Sequence, residues 1–325
     1  MKKIDMDRPI RIAFIGCGYA TEIHSKTLQA FHGVRRFYAS RNEDRAKLYN
    51  EKFSGQGFFH GYDTAIESPD IDVVLIATPP TSHLELSQKA LKADKHVIVE
   101  KPPFLKSTDF DLIEKLRQES DCQLMVAENY FYKPLADRLR QILENNEIGD
   151  VLFVHANALK LQKTGNWRDD PALSGYGALF EGGIHWINFM GNIGLKINRV
   201  SGHQPLAKGD VEKSMMISID YEQGAVGALY YSWEVPSLFK GLRISRLYGR
   251  EGSITFESNG IFILVKGKRK RLILPGIKDI SGYRRMFTDF MHALHSGNEP
   301  KYNLDLARKD IELIEAVYES AKRGK

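Results

Sequence analysis

Three side chains combine types and spacing that suit proton transfer to or from a substrate hydroxyl. Lys101 follows an apolar strand-like segment, and Glu181 lies four residues before His185 in the segment GALFEGGIH. An imidazole titrates near neutral pH, and a lysine ammonium polarises an oxygen as a cation. If residues 181–185 are helical, Glu181 and His185 face the same way, so the carboxylate could orient the imidazole or bind a substrate hydroxyl. We assign His185 as proton carrier and Lys101 as polariser.

A glycine loop follows the first predicted strand. The chain runs from IAFIG directly into CGYATEIH, so Gly16 and Gly18 lie between a strand and a helix. Such a turn brings backbone amides and a helix N-terminus against a pyrophosphate, and a side chain at either glycine would hinder that approach. Thr21 occupies the third fingerprint position, so the match is incomplete. The residues predicted to bind a dinucleotide here are Gly16, Cys17, Gly18, Tyr19 and Ala20.

The end of the second predicted strand bears on the choice of dinucleotide. An NAD enzyme commonly carries an Asp or Glu there for the ribose 2′-hydroxyl, but this chain carries Ser40 and Arg41. A hydroxyl followed by a guanidinium suits a 2′-phosphate. We therefore favour NADP(H) and keep NAD(H) as possible; the competing interpretation is a surface arginine with no ligand.

The first half of the chain supplies the elements that must position these residues. From Ile10 to about Asn129, segments rich in β-branched residues alternate with segments of helical period. This alternation is typical of parallel βαβ units, and we predict an N-terminal Rossmann domain, a doubly wound parallel sheet, over residues 1–130. The predicted strands are IRIAFIG, RRFYAS, IDVVLIAT, HVIVEK and QLMVAEN.

The second half changes character and predicts a C-terminal α+β domain over residues 131–325, with a large, mostly antiparallel open sheet. Its predicted strands lie in DVLFVHANALKL, VEKSMMISIDYE, GAVGALYYSW, SITFES and IFILVK, and the turns Glu-Gln-Gly and Ser-Asn-Gly suggest neighbouring antiparallel pairs. One helix is predicted over Tyr176–Ile193. Another over 303–322 has an apolar stripe and could pack back on the first domain.

Composition limits the partners. The chain has 325 residues, enough for two domains, and a net charge of +5. Its one basic run, at 266–271, is predicted to be the solvated tip of a hairpin, so nucleic acid is not the expected partner. Two cysteines and no signal-peptide pattern or long apolar run favour a cytoplasmic protein without a membrane span. No cluster has the spacing of a metal site.

The outer face of the predicted second sheet carries more apolar residues than one buried face needs. The strands GAVGALYYSW and SMMISIDYE show this excess. We therefore expect a homodimer or homotetramer that covers this face.

Several motifs together resemble one family. They are Ala77-Thr78-Pro79-Pro80-Thr81-Ser82-His83 from the end of the strand IDVVLIAT, Glu100-Lys101-Pro102 from the end of the strand HVIVEK, Trp167-Arg168, the segment from Gly177 to His185, and the closing LDLARKDIELIEAVYESAKRGK. With the glycine loop, they resemble the Gfo/Idh/MocA oxidoreductases over nearly the whole chain.

The resemblance implies a fold in which the cofactor lies at the carboxyl ends of the parallel strands, with the nicotinamide facing the open sheet domain. It implies hydride transfer between NAD(P)(H) and a secondary alcohol or ketone of a sugar, inositol or related polyol. The family usually has Asp where this chain has Glu181; the longer side chain would tune substrate choice or mark a lost activity. The further cofactor residues expected are Ala77, Thr78, Pro79, His83, Glu100, Lys101, Trp167 and Arg168. The expected substrate residues are Lys101, Glu128, Glu181 and His185.

Two other functions fit the same sequence. A non-catalytic NAD(P)-binding sensor would keep the cofactor site without the chemistry, although the presence of both Lys101 and His185 argues against it. A dihydrodiol-type dehydrogenase would use the same cofactor pocket with a more apolar cavity, and the aromatic residues that leave this open are Tyr130, Phe131, Tyr132 and Trp167. His24 and His83 match the family pattern but are not expected to be catalytic.

Overall fold

The structure is a computed structural model that describes residues 1–165, 168, 170, 175–206, 211–236 and 241–323. The chain forms two compact units, each built from two stretches of chain. The first unit comprises Met1–Glu128 and Tyr283–Arg308, and the second comprises Asn129–Gly282 and Lys309–Lys325. The predicted division into domains at residues 130 and 131 stays a prediction.

A six-stranded parallel sheet forms the centre of the first unit. Its strands are β1 (Ile10–Ile15), β2 (Val34–Ser40), β3 (Gly57–His60), β4 (Val73–Ile76), β5 (His96–Val99) and β6 (Leu124–Val126). Their order is β3-β2-β1-β4-β5-β6, which confirms the doubly wound Rossmann sheet. Strands β4 and β5 are buried throughout, as expected for a parallel sheet covered on both faces. Only β3 was not predicted; it has four residues and begins at a glycine.

Helices connect and cover these strands. They are α1 (Tyr19–Leu28), α2 (Glu43–Lys52), α3 (Tyr62–Glu67), α4 (His83–Lys92) and α5 (Asp109–Ser120), with a short 3-10 turn at Pro80–Ser82 before α4. The first unit also includes α8 (Tyr283–Ser296), for which we predicted no element. Its buried residues Met286, Phe290 and Ala293 recur at helical spacing.

An eight-stranded sheet forms the second unit. Its strands are β7 (Val151–Leu159), β8 (Ile197–His203), β9 (Ser214–Tyr221), β10 (Val226–Ser232), β11 (Ile244–Gly249), β12 (Gly252–Glu257), β13 (Ile263–Lys266) and β14 (Lys270–Ile273). The order is β14-β13-β12-β11-β7-β10-β9-β8, and β7 with β10 is the one parallel pair among these strands. The mostly antiparallel sheet is confirmed, whereas β8 and β11 were not predicted and β14 was implied only as the second strand of the predicted hairpin.

The predicted turns of this sheet are confirmed. Glu-Gln-Gly joins the antiparallel strands β9 and β10, and Gly224 has a φ of 83° that a left-handed turn residue requires. Ser-Asn-Gly joins β12 and β13. The basic run is the exposed tip of the β13-β14 hairpin, as predicted.

Three helices and two short turns complete the second unit and the chain end. They are a 3-10 turn at Asn129–Tyr132, α6 (Pro134–Glu144), a π-helical turn at Leu179–Gly183, α7 (Ile184–Gly191) and α9 (Leu304–Arg323). The predicted helix over Tyr176–Ile193 was wrong in extent and in type, because its first turn is π-helical and α7 ends at Gly191. Among the described residues, no helix has the length and apolar character needed to cross a lipid bilayer.

Candidate active site

The glycine loop lies between β1 and α1 in the first unit. Gly16 has a φ of 101°, and a Cβ there would lie 2.9 Å from the Ala77 carbonyl oxygen and 3.1 Å from Thr78 Cγ2. We had expected a side chain at Gly16 to hinder the ligand, whereas the structure shows that it would collide with the protein itself. A Cβ at Gly18 would meet no atom within 4 Å, and no described side chain caps α1 there. This open space at a helix N-terminus fits a pyrophosphate.

Thr21 strengthens the loop although it departs from the glycine fingerprint. Its hydroxyl donates to the Gly16 carbonyl over 2.6 Å, and the side chain is fully buried. Cys17 is also buried, and burial raises the pKa of its thiol to about 11, so the thiol stays protonated. Tyr19 and Ala20 begin α1, and Tyr19 is exposed. The loop is thus held from inside, with its outer side free for a ligand.

Two cationic side chains lie near the end of β2. Arg41 is exposed, and Asn42 caps α2 by accepting from the Arg45 amide over 2.9 Å. The Arg45 side chain turns back to the glycine loop, where Nε donates to the Cys17 carbonyl over 2.7 Å. Ser40 is buried, and its Oγ accepts from the Asn42 amide. Within the described part of the chain, no carboxylate lies within ion-pair distance of either arginine. Arg45 was missed at the sequence level.

His83 joins the segments that follow β4 and β5. One ring nitrogen lies 2.8 Å from the Thr78 carbonyl and the other lies 2.8 Å from the Pro102 carbonyl. Burial lowers the pKa of His83, against the opposing effect of these carbonyls. Thr78 also bonds Ser82 through its hydroxyl, and Ser82 bonds the Pro79 carbonyl. His83 therefore holds two segments of the predicted site together.

Glu100 forms a buried pair behind Lys101. Its Oε1 lies 2.5 Å from His24 Nε2, and its Oε2 accepts the Lys101 amide over 3.1 Å. The His24 ring is buried, with Tyr283 and Phe287 packed edge-on against it. Lys101 is partly exposed at the carboxyl end of β5. The His24–Glu100 pair thus fixes the backbone that carries Lys101.

Glu128 follows β6 at the same edge of the sheet and is fully buried. The carboxyl ends of β1, β2, β4, β5 and β6 therefore carry the predicted residues of the first unit. Parallel strands place these ends on one edge, where ligands of doubly wound sheets bind. Within the described ranges, no three His, Cys, Asp or Glu side chains are grouped as metal ligands.

In the second unit, Glu181 lies in the π-helical turn before α7 and is largely buried. Its Oε1 accepts from Arg168 Nε over 3.2 Å and lies 3.1 Å from Nη2. The two residues are thirteen positions apart, and we had placed Arg168 among the cofactor residues rather than beside Glu181. The guanidinium therefore holds the Glu181 carboxylate in one position.

His185 packs against an aromatic ring. The imidazole and the Tyr130 ring are stacked, with centroids 4.4 Å apart and an interplanar angle of 13°. Lys133 Nζ lies 4.3 Å from the centroid of the same tyrosine ring, and Trp186 packs edge-on against it. This packing limits the rotation of His185, which is partly exposed. A histidine held this way suits proton transfer to a positioned group.

Three of the four aromatic residues that left a dihydrodiol substrate open have protein partners. Tyr130 packs with His185 and Lys133, and Phe131 packs edge-on against Tyr132 at 5.0 Å. Trp167 lies outside the described residues. The described aromatics therefore contribute to the framework of the second unit.

The structure groups the predicted residues into two sets. The first unit brings together the glycine loop, the segment from Ala77 to His83 and the Glu100-Lys101 pair, at one edge of its sheet. The second unit brings Glu181 to Arg168 and His185 to Tyr130. The assigned roles in binding and catalysis stay predictions.

Family models match most of the chain. Residues 10–128 match the model described as "Oxidoreductase family, NAD-binding Rossmann fold". Residues 136–255 match the model described as "GFO/IDH/MocA C-terminal domain".

Individual relatives are more distant. Levoglucosan dehydrogenase of Pseudarthrobacter phenanthrenivorans is 24% identical over 94% of this chain and 87% of its own. A solved structure of levoglucosan dehydrogenase in complex with NADH superposes with a TM-score of 0.87 and 22% identity, over 97% of this chain and 98% of that one, which shows the shared fold. D-xylose 1-dehydrogenase (NADP(+)) 2 of Haloferax volcanii is 23% identical over 88% of this chain and 89% of that one. Oxidoreductase P35 of Formosa agariphila is 26% identical over 57% of this chain, which spans 60% of that relative's length.

Proposed function

The chain belongs to the Gfo/Idh/MocA family of oxidoreductases, and from this premise we propose that it transfers a hydride between NADP(H) and a secondary alcohol or ketone of a sugar or related polyol. One observation carries the proposal. The glycine loop with its open space at Gly18 and the Glu100-Lys101 turn lie on the same edge of one parallel sheet. A dinucleotide held by the loop can therefore reach a cation suited to a substrate oxygen.

The residues of this chain divide the remaining work. The bound nicotinamide supplies the hydride chemistry. Lys101 polarises the substrate oxygen, and His185 carries the hydroxyl proton. Glu181, fixed by Arg168, orients a substrate hydroxyl. The stack on Tyr130 keeps the imidazole in one orientation while the proton moves.

We assign the preference for NADP(H) to the cationic group after β2. Ser40 can donate to a 2′-phosphate, and Arg41 and Arg45 carry two guanidinium charges with no carboxylate partner among the described residues. The ribose-binding carboxylate of NAD enzymes is absent from the end of β2. A relative whose name includes NADP(+) supports this choice, while a levoglucosan dehydrogenase complex with NADH keeps NAD(H) as the alternative.

The test combines binding with turnover on the same protein. NADPH and NADH are titrated by fluorescence, and a panel of polyols and keto-sugars is then followed at the nicotinamide absorbance. We expect tighter binding of NADPH and turnover of at least one sugar. Lys101→Met and His185→Gln should lose kcat, and His185→Gln should keep NADPH affinity. The control His203→Gln, at an exposed position of β8, should match the wild type in both. Absence of binding by either nucleotide would remove the basis of the proposal.

The open face of the second sheet supports an oligomer. On this face, side chains from neighbouring strands leave apolar surface exposed, and Phe153 at 59% exposure has Tyr248 and Val226 opposite it on the two adjacent strands. Leu264 and Leu272 continue the apolar face toward the sheet edge. We propose that a second copy of this chain covers it, because a patch of this kind is rare on a monomer. Light scattering at micromolar concentration should give a dimer or tetramer for the wild type and a monomer for Phe153→Asp; a monomeric wild type would refute the oligomer.

We also keep the cytoplasm as the proposed location. The two cysteines are free and buried, and a reducing compartment leaves such thiols unpaired. Fractionation of the native cell, with detection of this chain, tests the assignment.

A further inference from the structure

The segment that carries Glu181 and His185 begins against two side chains from distant parts of the second unit. Glu212 precedes β9, and Tyr318 lies on α9. The Ala178 amide donates to the Glu212 carbonyl over 2.7 Å, and the Leu179 amide donates to Glu212 Oε2 over 3.1 Å. The Phe180 amide donates to the Tyr318 hydroxyl over 3.3 Å. Three consecutive amides at the start of this segment are therefore bound by two residues.

The two capping residues also bind one another. The Tyr318 hydroxyl donates to Glu212 Oε2 over 2.9 Å, so it accepts from the segment and donates to the carboxylate at once. The Tyr318 ring stacks on Tyr176, with centroids 5.4 Å apart. Helix N-termini leave their first amides without intrahelical acceptors, and here Glu212 and Tyr318 supply the acceptors that a local capping residue usually gives.

Close packing allows the segment and the groups that cap it only one relative position. A Cβ at Gly177 would overlap the Glu212 carboxylate, and it would lie 2.5 Å from the Glu212 carbonyl oxygen. A Cβ at Gly182 would overlap the Tyr231 hydroxyl, which accepts from Trp233 Nε1. Both glycines therefore allow the segment to approach groups that are themselves held in place.

The capped segment starts with a π-helical turn, a rare form that occurs mostly as a single turn and often at functional sites. The position of this turn along the chain determines where Glu181 contacts Arg168 and where His185 stacks on Tyr130. If amides 178–180 lost their acceptors, the turn could rewind, and both side chains would shift by a fraction of a turn. A displacement of about 1 Å at a reacting group can reduce the rate about 100-fold.

We propose that Glu212 and Tyr318 are positioning residues that hold Glu181 and His185 in the places where the reaction needs them. The inference rests on the proposed function, because it assumes that Glu181 and His185 act on the substrate. It predicts that neither residue touches the substrate, and that the loss of either one lowers kcat through the helix start while coenzyme affinity is kept.

The variants are chosen so that hydrogen bonding and global stability can be separated. Glu212→Ala removes the side-chain acceptor, and Tyr318→Phe removes only the hydroxyl. Glu212→Gln keeps an oxygen that can accept from the Leu179 amide and from Tyr318. Tyr221→Phe is the matched control, because its buried hydroxyl donates to the Met190 carbonyl near the opposite end of the same helix, over 3.4 Å.

Two measurements are made on each variant: the rate of amide hydrogen exchange in peptides that cover 177–186, and kcat with KM for the sugar and Kd for NADPH. Glu212→Ala should speed exchange at the helix start about fivefold, the effect of losing an ordinary cap. It should lower kcat about 100-fold with an unchanged Kd for NADPH. Tyr318→Phe should show the same pattern to a smaller extent, Glu212→Gln should recover most of kcat, and Tyr221→Phe should leave kcat and local exchange unchanged.

Specific results overturn the inference. The inference fails if Glu212→Ala folds and keeps the wild-type kcat and the wild-type rate of amide exchange. It also fails if Tyr221→Phe loses as much kcat as Glu212→Ala, because the effect would then come from general stability. If Glu212→Ala does not fold, Tyr318→Phe and Glu212→Gln decide. If the wild type turns over no sugar, the proposed function fails on that result alone. Amide exchange that is unchanged in the variants overturns the capping role of Glu212 and Tyr318, whether or not a sugar is turned over.

Discussion

Replacement of Gly18 separates the requirements of the fold from those of the coenzyme. Gly18 has extended backbone dihedrals that any residue adopts, and a Cβ added there meets no protein atom within 4 Å. Gly16 differs in both respects, with a φ of 101° and the Ala77 carbonyl 2.9 Å from an added Cβ. Gly18→Ala should therefore fold, and its defect should appear when the coenzyme binds.

The magnitudes follow from these environments. Alanine at an N-cap costs about 0.5–1 kcal/mol of unfolding free energy relative to glycine. If the new methyl group displaces one charge-assisted hydrogen bond to the pyrophosphate, affinity falls by about 1.5–3 kcal/mol, or roughly 10- to 150-fold in Kd. Gly16→Ala combines left-handed strain with a steric clash and should cost about 2–5 kcal/mol of stability.

Urea unfolding and NADPH titration of the same preparations test this prediction. Gly33→Ala is the control, because an added Cβ there meets no atom within 4 Å and its φ is not in the left-handed region. It should leave both quantities near wild type. Wild-type affinity for NADPH in Gly18→Ala would show that no pyrophosphate approaches this residue, and an unfolded Gly18→Ala would refute the open space described at the loop.

Three further substitutions test the coenzyme preference, the contact between Arg168 and Glu181, and the pH dependence of stability. Arg45→Met should raise the Kd for NADPH about tenfold more than the Kd for NADH, because the 2′-phosphate loses one guanidinium. Equal effects on the two coenzymes, or the same result from a change at the exposed Lys47 (Lys47→Met), would argue against a contact between Arg45 and the 2′-phosphate. Arg168→Leu should lower the unfolding free energy, measured in urea, by about 1–3 kcal/mol, because the largely buried Glu181 loses its hydrogen bond and ion pair with the guanidinium. Lys26→Leu, which breaks an exposed pair with Glu22, should change it by less than about 0.5 kcal/mol, and equal losses in the two variants would contradict the claim. Burial lowers the pKa of His96 to about 4, so between pH 4 and about 6.5 the unfolded chain, with a histidine pKa near 6.5, binds more protons than the folded chain. The free energy of unfolding should therefore fall by roughly 3 kcal/mol from pH 7 to pH 4. Thermal unfolding of His96→Asn should show a shallower pH dependence, and an unchanged slope would exclude His96 as its source.

The first unit was largely predictable because its signals are local. Apolar runs of β-branched residues, each followed by a turn, predicted five of the six parallel strands and the edge where the glycine loop and Lys101 lie. Four residues were too few to predict β3. The segment of α8 carries buried residues at helical spacing, yet the sequence alone gives no reason for it to join the first unit.

The sequence selected the residues of the candidate site but did not predict their contacts. His185 and Glu181 were selected from their motif, whereas the pairing of Glu181 with Arg168 and the stack of His185 on Tyr130 join residues far apart in the chain. Arg45 could have been found from its place one turn after Arg41 at the start of α2. Its bond to the Cys17 carbonyl depends on how that helix packs against the glycine loop.

Glu212 and Tyr318 gave no signal in the sequence. A single carboxylate before a strand and a tyrosine on an amphipathic helix are ordinary features. Their relation to the helix start arises only from tertiary packing, which brings them to three adjacent amides. The π-helical turn was equally unpredictable, since the same residues fit an α-helical period.

Isotope transfer shows whether the chain moves a hydride between the coenzyme and a sugar. The wild type is incubated with the keto-sugar that turns over fastest and with NADPH carrying deuterium at the transferable C4 position, and the product is examined by mass spectrometry and NMR. We predict one deuterium at the new carbinol carbon of the sugar, and none when His185→Gln or Lys101→Met abolishes turnover. A product without deuterium, or no product from any sugar while NADPH is bound, would contradict hydride transfer as the function of this chain.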